Sequence, residues 1–389
     1  MMVFGTMTIP DSPPFGRHSI DAAIAWIDAV THSLNREDVP LRSARERVLT
    51  ESLFAAEPIP RCDRASLDGF AVQASASLGA SSYNPIPLPL FAVAAGDALP
   101  AATDAVIPIE LAEPHGRDFI EVVEAVASGD NVEKQGTVAT IGATLALAGT
   151  RLAARHIGLL TLAGMSVVPV VRQPRVRILV AAAAEAGAWE NSNKPMIRAA
   201  VERDGGIIGQ CIAVERDPAA ITTALVEPGA DIVLVIGGSG PGTKELSASA
   251  LAEAGELAIH GVALRPGETT GLGRTDRGLP VVLLPDAPAA CLWSYELFAG
   301  RAIRRLGGRG AEILYRSREM ITARKIVSSL GMVEICPVRV GLDDAVVPLP
   351  SFEEVGLKAA VDGDGFLMVP QGSEGYPQGA RVTVYLYEC

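Results

Sequence analysis

The stretch richest in groups that could do chemistry is Ile236-Gly237-Gly238-Ser239-Gly240-Pro241-Gly242-Thr243-Lys244-Glu245, at the end of the apolar run that begins at Asp231. Glycines let the backbone come close to a ligand and present N–H groups to it, and phosphate is the guest such a turn suits. Neither common nucleotide fingerprint applies. A Walker A loop needs lysine directly after its second glycine, where Thr243 intervenes, and Gly238 and Gly240 lack the third glycine of G-x-G-x-x-G. A strand-to-helix turn with no ligand accounts for these residues equally well. Arg265-Pro266-Gly267-Glu268 and Leu284-Pro285-Asp286-Ala287-Pro288 also follow apolar runs, so in an open sheet they fall on the same carboxyl edge as the glycine loop, where such sheets bind ligands. Asp63 and Asp68 sit in the turn Arg61–Val72, where an ordinary Asp-Gly turn is the favoured reading. His18, His32, His115, His156 and His260 are scattered and read as surface or packing residues.

The elements that must position these groups follow from periodicity. Ile20, Ala23, Ile24, Ile27 and Val30 recur at helical spacing behind Ser19, a suitable N-cap. Leu41–Ala56 reads as a second helix ended by Pro58 and Pro60, followed by short β-like segments to about Gly136. Helical spacing returns from Leu152 to Ala163, closed by Gly164, as a helix able to rejoin the first two. From Gln173 to Gly308 buried strands alternate with helices: Val176–Ala181, a helix near Pro195–Arg203, Ile207–Val214, a helix opened by Asp217-Pro218, the strand after Asp231, a helix from about Leu246, strands near Ile259–Leu264 and Val281–Leu284, and a long helix after Pro288. That pattern predicts a parallel sheet covered on both faces. After Gly307-Gly308 the period falls to two, clearest at Val382, Val384 and Leu386, which predicts a small β domain.

Composition bounds the function. At 389 residues, 49% hydrophobic and 20% charged, the chain has enough apolar surface for more than one folded domain. Acids exceed bases by 12, giving a net charge of −12, a field that repels nucleic acid while leaving room for a small anion held by local amides. The leader Met1–Gly16, with Pro10, Pro13 and Pro14 and no basic-then-apolar pattern, reads as disordered rather than as a signal peptide. The longest apolar run, Ile157–Val171, holds Pro169 and is too short for a membrane span. Cys62, Cys211, Cys291, Cys336 and Cys389 form no C-x-x-C pair and read as reduced thiols, which places the protein in the cytoplasm.

Taken in order, the motifs resemble the MoeA/gephyrin family of molybdopterin molybdenumtransferases. Pro58-Ile59-Pro60 followed by Asp63-Arg64-Ala65-Ser66-Leu67-Asp68-Gly69-Phe70-Ala71-Val72 is similar to the family's P-x-x-D-N-S-A-M-D-G-Y-A-V segment. Leu99-Pro100 through Asp104-Ala105-Val106 to Glu110 resembles L-P-x-G-A-D-A-V-V-x-x-E, and Gly129-Asp130-Asn131-Val132, Ile157–Leu160 with Gly164, and Pro174-Arg175-Val176 follow in family order. The resemblance implies a multidomain α/β fold: a split helical linker domain (17–46 with 141–172), a β-rich insertion (47–140), a MogA/MoaB-like parallel α/β molybdopterin-binding domain (173–312) and a small C-terminal β-barrel (313–389). It implies molybdenum cofactor biosynthesis, in which molybdate is inserted into adenylylated molybdopterin with release of AMP and with Mg²⁺ as the divalent cation. It also implies a homodimer with a shared cleft, with a molybdoenzyme or another cofactor-synthesis protein as a further partner. On that resemblance the pterin would be bound by Gly237, Gly238, Ser239, Gly240, Gly242, Arg265, Pro285 and Pro288. The catalytic acids would be Asp68, Glu185, Asp217 and Glu245, with Asp217 and Glu245 as metal ligands.

Departures from the family pattern cluster at the same loops. Gly136-Thr137-Val138 stands where the family has G-E-D, and Ala181-Ala182-Ala183-Ala184-Glu185-Ala186 where it has T-G-D-E-L. The glycine loop loses the acids of G-G-V-S-V-G-D-Y-D except for Glu245, and resembles the G-G-T-G loop of MogA/MoaB domains. K-P-G-K-P has become Arg265-Pro266-Gly267-Glu268-Thr269, a charge reversal, and L-P-G-N-P-V-S has become Leu284-Pro285-Asp286-Ala287-Pro288-Ala289-Ala290. Asp68, Asp217 and the Asn193 counterpart of D-S-N remain. Since each lost electrostatic group costs about 10²–10³ in rate, a catalytically silent pterin-binding paralogue acting as carrier or regulator is the alternative expectation.

Overall fold

The computed structural model describes residues 15–182, 188–242, 245–341 and 344–387, with 182 and 188–191 as backbone only. The leader and Glu185 therefore lie outside the described residues or, at Phe15 and Gly16, at their margin. The chain divides into two compact units, one formed by Met1–Arg36 with Val171–Cys389 and the other by Glu37–Val170.

The larger unit is built on a six-stranded sheet. In chain order its elements are β1 (Arg175–Ala182), α1 (Ala188–Arg203), β2 (Ile207–Glu215), α2 (Pro218–Val226), β3 (Ile232–Ile236), α3 (Ser247–Ala254), β4 (Gly255–His260), β5 (Gly271–Thr275), β6 (Pro280–Leu284) and α4 (Pro288–Ser294), which continues through a π-turn at Tyr295–Ala299 into α5 (Gly300–Leu306). The spatial order is β2-β1-β3-β6-β5-β4. β2, β1, β3 and β6 run parallel, as the sequence predicts, while β5 and β4 are antiparallel additions at one edge. β3 is Ile-Val-Leu-Val-Ile with every residue buried, the signature of a central parallel strand. Its alternate side chains enter different cores: Ile232, Leu234 and Ile236 pack with Ile197, Val201 and the α4–α5 residues, whereas Val233 and Val235 pack with Ile221, Leu225 and Leu251 of α2 and α3. Helices thus cover both faces.

The N-terminal helix Ile20–Val30, capped by Ser19, joins the first of these cores through Ala23 and Ile27. Asp28 pairs with Arg301 at 2.6 Å and Arg305 at 3.2 Å. The later helical stretch, Ala154–Leu162, packs through Leu160 with Leu41, Leu49, Leu152 and Val170. The C-terminal strands Val333–Val340, Ala345–Pro348, Arg316–Thr322, Arg381–Leu386 and Gly365–Val369 pair in that order, and the last returns to the first, closing a five-stranded barrel around Met320, Val338, Val346, Leu367, Val382 and Val384. Phe366 of the barrel packs edge-on against Trp293 of α4, centroids 4.4 Å apart, and Tyr315 packs against Phe366 at 5.3 Å.

The smaller unit is β-rich, with antiparallel sheets Ala92–Val93, Gly69–Val72, Ala105–Pro108 and Ile86–Pro89, Phe119–Val122, Ala112–His115. The helix expected over Leu41–Ala56 is absent from the described residues: only a 3₁₀ turn, Leu41–Ser43, and a two-residue strand, Leu53–Phe54, occur there. Its backbone bonds run far along the chain instead, Glu46 N–H to Leu152 O, Leu49 N–H to Thr150 O and Thr50 N–H to Pro169 O. Among the described residues no helix is long and apolar enough to cross a membrane.

Candidate functional site

The sheet order reverses direction between β1 and β3, the topological switch point where open α/β sheets bind ligands beyond the carboxyl ends of their strands. The ends of β1, β2, β3 and β6 meet there. The loop leaving β3 is anchored across the sheet, Gly237 N–H donating to Leu284 O at 2.8 Å. Gly237 has φ +90°, and a Cβ placed on it would lie 2.2 Å from Asp286 Oδ1; Gly238 has φ +68°, with Ser247 Oγ 2.6 Å from its would-be Cβ. Only glycine satisfies both the left-handed backbone and that crowding. α3 is stitched to the turn at its first residue: Ser247 Oγ–H donates to Gly237 O at 2.8 Å, and Ser247 N–H donates to Gly238 O at 2.9 Å. Ser239 is buried, its hydroxyl 3.2 Å from that of Thr269, and its carbonyl accepts from His260 Nε2 at 3.0 Å. Because a carbonyl only accepts, the hydrogen is on Nε2 of that ring. Gly240 and Gly242 form the outer part of the loop.

A cation not singled out by the sequence stands over this edge. Arg216, directly after β2, donates from Nε to Ala181 O near the end of β1 and from a terminal nitrogen to Asp286 Oδ2, 3.0 Å in each case. Asp286 follows β6, so one guanidinium links the ends of β2, β1 and β6 above the glycine turn of β3. Asn193 of α1, wholly buried, donates to Asp286 O at 2.6 Å and has its Oδ1 unsatisfied among the described residues. Pro288 opens α4 as its first residue, where a missing N–H costs nothing, and with Pro285 it frames the turn carrying Asp286.

The residues chosen from sequence fall into different settings. Asp217 is the N-cap of α2, its Oδ2 accepting from Ala220 N–H at 2.9 Å, with Pro218 next in chain. Glu245 turns back into the loop, Oε2 accepting from Gly240 N–H at 3.0 Å. Arg265 is held by two carboxylates, Glu268 at 2.9 Å and Glu353 at 3.3 Å, and its guanidinium pKa is raised chiefly by the hydrogen bond to Glu268. Asp68 belongs to the smaller unit, where it accepts from Ala95 N–H at 2.7 Å. In the same turn Asp63 accepts from Gln135 N–H at 2.8 Å and pairs with Lys134 at 3.0 Å, which holds its carboxyl below the usual range, the backbone bond contributing most. Among the described residues no three His, Cys, Asp or Glu side chains gather in a way that could hold a metal ion. The described acids therefore do not form a protein cage for Mg²⁺.

Two residues at this edge escape a reading by motif. His260 is one of five scattered histidines, and its role rests on a contact with a residue far away in sequence, Ser239. Arg216 had a usable signal: it is the residue between a strand end and a strong Asp-Pro helix start, a position that falls on the carboxyl edge.

Comparison with known proteins agrees with this architecture. Residues 18–164 match the family described as the MoeA N-terminal region (domain I and II), and residues 140–305 match the one described as a probable molybdopterin binding domain. The molybdopterin molybdenumtransferase of Bacillus subtilis is 26% identical over 94% of this chain and 93% of its own length. The molybdopterin molybdenumtransferase 2 of Mycobacterium tuberculosis is 28% identical over 69% of this chain and 75% of its own. A solved molybdopterin biosynthesis MoeA protein from Pyrococcus horikoshii superposes with a TM-score of 0.73 at 24% identity, covering 96% of this chain and all of that one, and so shares the fold. With both family domains matched in order along one chain, and with the sheet, switch-point loop and closed C-terminal barrel all in place, the protein belongs to the MoeA family.

Proposed function

We propose that the protein is a molybdopterin molybdenumtransferase acting in molybdenum cofactor biosynthesis, inserting molybdate into adenylylated molybdopterin with release of AMP. The observation that carries this reading is the glycine turn Gly237–Gly242 at the switch point, rigidly stitched to α3, with the ends of the neighbouring parallel strands converging on it. Loop N–H groups and an adjacent guanidinium are what a phosphate-bearing pterin needs. The chain's own residues fix the loop (Ser247, His260), fix the opposing turn (Asn193) and supply positive charge (Arg216). Of the residues read from sequence, the turn residues Gly237, Gly238, Ser239, Gly240, Gly242, Pro285 and Pro288 are proposed as the pterin cradle. Asp217 and Glu245 are the acids on its rim, and Asp68 and Glu185 remain candidates carried by the family resemblance.

Mg²⁺ supplies charge neutralisation in phosphoryl chemistry and commonly keeps its waters while bridging substrate phosphates. Because the described carboxylates form no cage, we propose that it arrives with the adenylylated substrate. A homodimer and a cytoplasmic location complete the reading; Cys62, Cys211, Cys291 and Cys336 are free thiols, consistent with a reducing compartment.

Calorimetric titration with molybdopterin tests the assignment: micromolar or tighter binding is expected, on the order of −8 kcal/mol, and absence of binding removes it. MgCl₂ alone is expected to leave the melting temperature unchanged, whereas removal of Mg²⁺ by EDTA abolishes AMP release. A rise of several degrees with MgCl₂ alone would instead reveal a resident site in the protein.

A further inference from the structure

Resting on the pterin-binding reading above, we propose that Phe15 is a positioning residue for the glycine turn, acting through His260: the strap Phe15–His18 holds the imidazole in the orientation in which it grips the Ser239 carbonyl. The strap lies against the end of β4, the edge strand of the six-stranded sheet. Gly16 N–H donates to His260 O at 2.8 Å, His18 N–H donates to Gly261 O at 3.1 Å, and Ala263 N–H donates to His18 O at 2.8 Å, which pairs His18 with Val262 in parallel. Its place is fixed from the other side as well. Ser19, next in chain, caps the helix Ile20–Val30, and that helix is packed into the core through Ala23 and Ile27.

Strap and strand end approach closely. Gly261 has φ +93°, and a Cβ placed on it would lie 2.1 Å from Gly16 O and 2.9 Å from Phe15 Cε2, so the strap seats only over glycine. The Phe15 ring meets the imidazole edge to face, centroids 5.0 Å apart and planes at 89°, a geometry that aromatic pairs favour. The buried side chain of His260 makes one hydrogen bond, from Nε2 to Ser239 O at 3.0 Å, and its Nδ1 has no partner among the described residues. One bond fixes a point of the ring but not its plane; the Phe15 ring supplies the second constraint. The same strand end also braces the far side of Ser239: Gly261 N–H donates to Thr270 O at 2.9 Å, and the neighbouring Thr269 hydroxyl lies 3.2 Å from that of Ser239. Phe15 is itself 39% exposed, so its ring can be removed without opening a cavity in the core.

Full-length protein carrying Phe15→Ala, Phe15→Tyr, His260→Phe, or Phe15→Ala together with His260→Phe is titrated calorimetrically with molybdopterin. Phe15→Ala is expected to weaken binding about 3–10-fold, and Phe15→Tyr, which keeps the ring, to stay within about twofold of the unmodified protein. His260→Phe keeps an aromatic ring but loses the Nε2 donor, and is expected to weaken binding about tenfold. The double variant is expected to bind like His260→Phe alone, because a residue acting through His260 adds nothing once that bond is gone. Losses that multiply in the double variant, or Phe15→Ala binding like the unmodified protein, would overturn the proposal. A second arm needs no ligand. In protein isotope-labelled at histidine, the His260 Nε2–H resonance, identified by its loss in His260→Phe, is expected to exchange slowly with water in the unmodified protein and measurably faster in Phe15→Ala. An unchanged exchange rate overturns the proposal whatever the titrations show. If the unmodified protein does not bind molybdopterin, the pterin reading fails, and the exchange measurement alone decides whether Phe15 seats His260. Should His260→Phe not fold, His260→Leu takes its place in both arms.

Discussion

At the scale of single residues, the site is defined by what cannot be added to it. Gly237 combines a positive φ with a would-be Cβ 2.2 Å from Asp286 Oδ1 and 3.2 Å from Ala181 O. Gly237→Ala is therefore expected to incur about 1–2 kcal/mol of backbone strain and to push Asp286 from its seat. A lowered urea midpoint and at least about tenfold weaker molybdopterin binding would show it, whereas unchanged binding would mean that the turn is only a connection. The glycine turn was legible because glycines at a strand end constrain the backbone wherever they occur. Arg265 and Glu268 were legible as a substitution but not as an ion pair, because nothing in a string of letters states that Glu268 folds back on the neighbouring guanidinium and Glu353 joins it. Asp217 shows the same limit from the other side: its Asp-Pro signal marked a helix start correctly, and the cap uses one of the oxygens that a metal-ligand reading would need.

At the scale of elements, periodicity identified β3, α2 and the doubly covered sheet because those segments are stabilised by their own local pattern. The segment after Leu41 misleads for a physical reason. Leu41, Ala44, Val48 and Leu49 are buried at helix-like spacing, but Leu41, Ala44 and Leu49 face one core from an irregular strand-like path whose hydrogen bonds go to residues 150–169. The packing of the π-turn also escapes the sequence. There Glu296, 2% exposed, accepts from both terminal nitrogens of Arg203 at 2.8 and 3.0 Å, while Asp204, wholly buried, takes Arg304 at 3.0 Å and the Tyr295 hydroxyl at 2.8 Å. Burial first, and Asp204 next, push the Tyr295 phenol well above its usual value, so it stays a donor. Glu296→Ala leaves Arg203 without this bidentate partner and is expected to cost about 3 kcal/mol, the lower end for breaking a buried pair because Arg203 is partly exposed. Chemical denaturation should show a lower midpoint with unchanged slope; a loss below about 0.5 kcal/mol would mean that the network is dispensable.

At the scale of the whole molecule, a net charge of −12 gives a field that repels nucleic acid, yet the site places a guanidinium at the carboxyl edge of the sheet. Global acidity and local positive potential coexist because guanidinium and backbone N–H groups act over a few ångströms, inside the screening length of physiological salt, about 8 Å. Acids in the turns are used to hold the site together: Glu245 on Gly240, Asp286 on Arg216 and Asp217 on its helix. In the reading proposed above, the missing family acids leave the cation to arrive with the substrate. Molybdenum insertion at this cradle is tested by a single-turnover reaction of the purified full-length protein with adenylylated molybdopterin, molybdate and Mg²⁺, counting AMP released and molybdenum retained on the pterin. AMP and pterin-bound molybdenum rising together in equal amounts is the result expected here; pterin bound tightly with both quantities at background would contradict it.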